Sequence, residues 1–120
     1  MTTNVFKDQE KFMIACDQSV TGDQDQFDMY IKLIGEEFQE LQDADNDVDT
    51  LDALIDILVV TVGAIHSMGA DGEGAWIEVM RSNFAKIDHE TGKVIKREDG
   101  KVLKPQGWKP PELDQFLRKV

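Results

Sequence analysis

The chain has 120 residues, 41% of them hydrophobic, with a formal net charge of −11 and a single cysteine, Cys16. That length and apolar content suit one domain with a real core, read here as residues 1–120. The charge counts against nucleic-acid polymers as partners, no apolar run reaches the ~18 residues of a membrane span, and one cysteine allows neither an internal disulfide nor a cysteine-based zinc site. The opening MTTNVFKDQEKF has no basic n-region and no apolar h-region, so a cytoplasmic location is expected.

Residues 6–15 read as a first short helix, with Phe6, Phe12, Met13 and Ala15 apolar, broken at Thr21-Gly22-Asp23. From Phe27 onward Tyr30, Ile31, Leu33, Ile34, Phe38 and Leu41 recur at helical spacing, predicting a second helix to Ala44. Asp45-Asn46-Asp47 is the turn, with Asp47 or Asp49 as the next N-cap. The third helix, residues 49–67, is apolar nearly all round, which predicts a central position. Met68-Gly69 ends it, and residues 69–74 read as a C-cap and connector because they lack the Gly-Lys-Ser/Thr ending of a phosphate loop. A fourth helix follows over residues 74–87, with Trp76 expected in the core. Beyond it, Asp99-Gly100 lies between two short apolar-containing arms in residues 92–104, a hairpin signal. Pro105, Pro110 and Pro111 then keep the chain extended, with a last helical turn at 112–117. The expected fold is all-α: a bundle of four to five helices with a short C-terminal β-hairpin and tail.

The charge is unevenly spread. Residues 1–80 hold 18 acids against 3 bases, whereas residues 81–120 hold 10 bases against 6 acids. Two carboxylate groups stand out in the acidic part: Glu36, Glu37 and Glu40 on the second helix, and Asp49, Asp52 and Asp56 on the third. Each group falls within an arc of its helix, and like charges so spaced repel. No Lys or Arg occurs between Lys32 and Arg81 to offset them. On spacing alone an acidic helix face is more often solvated than functional. The apolar stripes beside them and the short turn, which makes the helices antiparallel neighbours, favour a divalent cation instead. Carboxylate oxygens suit Mg²⁺, or Mn²⁺ in its place. Asp43, Asp45, Asp47 and Asp49 do not form an EF-hand, since Val48 or Thr50 stands where its glycine is required. His66 and His89 share no ligand spacing and read as structural. Asn83 and Lys86 place a donor and a cation on one helix face leading into Lys93, Lys96 and Arg97, an arrangement suited to polyphosphate, although a cation closing a helix also complements its dipole.

Glu36-Glu37-x-x-Glu40 followed by an Asp-rich helix resembles the motif of the MazG-like all-α nucleoside triphosphate pyrophosphohydrolases, a group that includes phosphoribosyl-ATP pyrophosphohydrolases. The stretches LDALIDIL (51–58), RSNFAK (81–86) and GKVLKP (100–105) are similar to a small single-domain branch found in phages and bacteria. The likeness covers residues 6–113. It implies a MazG-like bundle working as a homodimer or homotetramer in the cytoplasm, the host's if phage-encoded. The implied reaction is a Mg²⁺-dependent cut of a (d)NTP between the α- and β-phosphates, giving (d)NMP and pyrophosphate. Glu36, Glu37 and Glu40 are the implied catalytic set, with Glu37, Glu40, Asp52 and Asp56 as metal ligands. Glu36 is then a further ligand or the group that orients the attacking water. The family's second motif is Glu-x-x-Asp. Aligned on Asp56 its Glu falls at Ala53, aligned on Asp52 at Asp49, so Asp49 is either a ligand or a bystander. Asn83, Lys86 and one or more of Lys96, Arg97, Lys101 and Lys104 would bind the outer phosphates. Gln18, with Phe12, Phe27 and Tyr30, borders the region assigned to the base, and Trp108 is a further substrate-binding candidate by packing on a base. The alternatives are phosphoribosyl-ATP as the substrate, or a non-enzymatic acidic helical protein that binds a basic partner.

Overall fold

The computed structural model describes residues 4–119. Four α-helices account for its regular structure: α1 Val5–Ala15, α2 Gln24–Asp43, α3 Asp47–Ser67 and α4 Gly72–Phe84, followed by a 3-10 turn at Asp114–Phe116. Helix starts follow from side-chain capping. Asn4 accepts from the amides of Phe6 and Lys7, Asp23 from that of Gln26, and Asn46 from that of Asp49. The cap of α3 is therefore Asn46, not the expected Asp47 or Asp49, because its carboxamide reaches the amide at N3 while both aspartates already lie within the helix.

The chain divides into two compact units, one comprising Met1–Gly72 with Phe116–Val120, the other Glu73–Gln115. In the first, α2 and α3 pack along one another as an antiparallel pair and α1 lies on α3. Met13, Tyr30, Val60 and Ala64 form the buried centre, with Val20, Phe27, Leu33 and Ile34 against it. Gly63 makes this packing possible. A Cβ built there would stand 2.3 Å from the Tyr30 ring. Gly63→Ala is expected to cost about 1–3 kcal/mol through overpacking, read as a lower denaturation midpoint with the helical signal retained below it.

The end of the chain is tied into the same unit. The amide of Lys119 donates to the Gly69 carbonyl, and its ammonium to the Val20 carbonyl and to His66 Nδ1 at 3.1 Å. Buried His66 lies 2.7 Å through Nε2 from the Phe6 carbonyl, and Glu10 is 3.6 Å from the Lys119 ammonium. His66 is thus structural, as its isolation in sequence indicated.

Three expectations change. The third helix is not enclosed: Leu51, Leu54, Ile55, Leu58 and Val59, at the i, i+3, i+4, i+7, i+8 spacing of one helical stripe, are exposed, because α1 and α2 cover the other side. Trp76 is 59% exposed rather than in the core, as are its neighbours Ile77 and Phe84. No strand forms among the described residues. The chain does reverse at Asp99-Gly100, with Gly100 at φ +88°, but only isolated antiparallel bridges result, Ile87 with Val94 and Lys96 with Val102. Ile95 and Leu103 stay exposed, and a ribbon without a face to bury does not sustain a ladder. Among the described residues no helix is long and apolar enough to cross a membrane.

Candidate metal centre

The connection Ala44-Asp45-Asn46 between α2 and α3 is short, so the last turns of α2 run beside the first turns of α3. Glu37 and Glu40, three apart, share a face of α2 and meet Asp56 from α3. One oxygen from each of these three carboxylates lies within 4.8 Å of the other two. Among the described residues none of the three forms an ion pair with Lys, Arg or His.

The electrostatics record the crowding. Glu37 is pushed above the ordinary 4.5 of a glutamate, first by its hydrogen bond with the Glu40 carboxyl, then by burial, then by the charges of Glu40, Asp56 and Asp52. Its Oε2 is buried and, among the described residues, has no hydrogen-bond partner. A buried carboxylate oxygen without a donor is costly, and a cation removes that cost. An orphaned oxygen, three converging hard donors and no neutralising base together fit a divalent ion.

The remaining acids differ. Asp52 stands outside the three-oxygen group, although its charge acts on Glu37. Glu36 also stands outside it, exposed on α2. Asp49 serves the helix start, its amide bonded to Asn46 Oδ1 and its carboxylate accepting from Asn46 Nδ2, both at 2.8 Å.

Gln18 Oε1 accepts from the Tyr30 hydroxyl at 2.5 Å, while burial raises the Tyr30 pKa above its ordinary value. Phe27 packs beside Tyr30 against the core, whereas Phe12 is 62% exposed.

The second unit carries the basic candidates. Lys86 donates to Asn83 Oδ1 at 3.1 Å, so this pair is brought together. Lys86 and Lys104, far apart in sequence, both place their ammonium groups over the Trp108 ring, 5.2 and 4.9 Å from its centroid. The indole is fixed by Nε1–H donating to the Ser82 carbonyl at 2.6 Å. Ser82 escaped the sequence reading because a backbone carbonyl leaves no residue signature. Arg97 is engaged with Asp99 through two bonds of 3.0 and 2.5 Å, while Lys96 and Lys101 are exposed. Arg81 pairs with Glu78 at 2.8 Å and, with the amide of Glu112, holds that carboxyl down to about 2.

The family model described as phosphoribosyl-ATP pyrophosphohydrolase matches residues 15–83, more than half of the chain. The match contains all six acidic candidates and ends before Lys86. No curated protein matches the chain.

Proposed function

Because the chain belongs to the phosphoribosyl-ATP pyrophosphohydrolase family, within the MazG-like all-α NTP pyrophosphohydrolase superfamily, we propose that it is a Mg²⁺-dependent pyrophosphohydrolase of nucleoside triphosphates, cleaving a (d)NTP to (d)NMP and pyrophosphate. The observation that carries this reading is the convergence of Glu37, Glu40 and Asp56 around an unpartnered buried oxygen. Members of the superfamily generally use divalent metals. Bound here, such an ion supplies Lewis acidity and a counter-charge for phosphate oxygens.

The chain's own residues then take distinct roles. Glu37, Glu40 and Asp56 hold the ion, with Asp52 adding negative potential or a further ligand. Glu36, exposed beside them, orients the attacking water or completes the ligand set. Lys86, its ammonium oriented by Asn83, takes a phosphate by charge. The exposed stripe Leu51, Leu54, Ile55 and Leu58 supports a homodimer or homotetramer, because apolar residues so ordered along one helix face are those a second copy covers.

The position of the cut tests the reaction. A deoxynucleoside triphosphate with Mg²⁺ is expected to yield monophosphate and pyrophosphate in one step, without diphosphate. Heavy-oxygen water then labels one of the two products and identifies the phosphorus attacked. Orthophosphate as first product refutes the reading. The name of the matched family favours a second substrate, phosphoribosyl-ATP. Turnover of that compound alone in a panel with canonical and modified (d)NTPs would replace the first.

A further inference from the structure

We propose that Lys86, Lys104 and Trp108 form a metal-independent site for a phosphate-type anion, opening onto a groove that accepts the less polar body of the same molecule. The site lies wholly within the second unit and beyond the residues matched by the family model. It deepens the reading of Lys86 as a phosphate ligand and rests on that assignment, but not on the acidic cluster.

Two like charges do not gather on one ring without cause. The ammonium groups of Lys86 and Lys104 lie 5.2 and 4.9 Å from the same indole centroid. Among the described residues neither forms an ion pair; both ammonium groups sit against the π face of the ring, and Lys86 also donates to the Asn83 carboxamide. An anion bridging both would relieve their repulsion. The platform is also held in place before any ligand arrives, since the indole is bonded to the carbonyl of Ser82, itself 2% exposed, on the last turn of α4. A prepared site of this kind binds without the entropy of ordering a tail.

The groove sets the ligand's class. It measures about 690 Å³, the size of a small-molecule site, and Lys86 and Lys104 line it together with Ile95, Leu103 and Pro105. Asp88 and Glu90 line it too, which disfavours a ligand charged along its whole length. A phosphorylated molecule with a neutral, partly apolar body, such as a nucleoside phosphate, meets both demands.

Inorganic pyrophosphate is the probe, titrated into the full chain in EDTA at constant ionic strength. Binding is followed by calorimetry and by the emission of Trp108 in a Trp76→Phe background. Saturable heat and a matching emission change are expected, with affinity falling about tenfold or more in Lys104→Gln and again in Lys86→Gln. Glu37→Gln should bind like the parent. Absence of saturable binding, or parental affinity in both lysine variants, overturns the proposal. So does an equal response to chloride at matched ionic strength. Metal-free binding without turnover of any triphosphate would leave this site standing and remove the hydrolase reading, whereas turnover without metal-free binding does the reverse.

Discussion

Glu37→Gln, Glu40→Gln and Asp56→Asn are each expected to lower turnover about a hundredfold or more, roughly 2.7 kcal/mol of transition-state stabilisation, with the helical circular dichroism unchanged. All three oxygens converge within 4.8 Å, so each substitution removes one donor from a small set. The same substitutions relieve repulsion, and stability therefore moves opposite to activity. Glu37 sits above its ordinary 4.5, so above that pH the native apo protein binds more protons than the unfolded chain. The contribution of Glu37 is then fullest below the unfolded value and is lost as pH rises through the native one. In EDTA, as pH rises above 4.5, the parent should lose melting temperature relative to Glu37→Gln. The variant should exceed the parent once that contribution is lost. Near-parental turnover in any two of the three variants would defeat the metal assignment. A parental pH profile of stability in Glu37→Gln would defeat the electrostatic account.

The second large effect concerns assembly. Leu54 and Leu58 are 48% and 44% exposed on the uncovered side of α3. Replacing both with Lys places two charges where a second copy would have to exclude water, a cost of several kcal/mol at a buried interface. Sedimentation velocity of Leu54→Lys/Leu58→Lys is expected to show monomer at concentrations where the parent is a dimer or tetramer. A monomeric parent would refute the assembly reading. Turnover measured in parallel will tell whether the active form requires the second copy.

The helices were readable from sequence because their determinants are local. Tyr30, Leu33 and Ile34 recur at helical spacing, and Gly69, at φ +75°, marks the end of α3 with its amide bonded to the His66 carbonyl. The proximity of Glu37, Glu40 and Asp56 was readable for the same reason, since a three-residue connection leaves two helices little choice but to lie side by side. Asn46 illustrates the limit at element boundaries, where Asn and Asp compete for one cap and only geometry decides. The exposure of Leu51 and Leu58 shows a deeper limit. Periodicity reports that a face is apolar, not whether the same chain covers it. The reversal at Asp99-Gly100 was legible as a turn, but strand formation depends on a surface to bury, and Ile95 and Leu103 find none. Trp108 was a candidate by itself and Lys104 one of four unranked bases, yet their joint placement with Lys86 depends on an anchoring carbonyl that no residue type announces.

The tie between Lys119 and His66 has a bearing on the order of events during synthesis. Lys119 is separated from its partner by 53 positions, and from Val20 by 99. Helices α1, α2 and α3 leave the ribosome long before that lysine does, at a pace of roughly 5–20 residues per second. Until it arrives, the imidazole acceptor of His66 and the Val20 carbonyl lack their final donor. The nascent helical unit can collapse early around Met13 and Tyr30, but its tie to Val20 and His66 waits for Lys119.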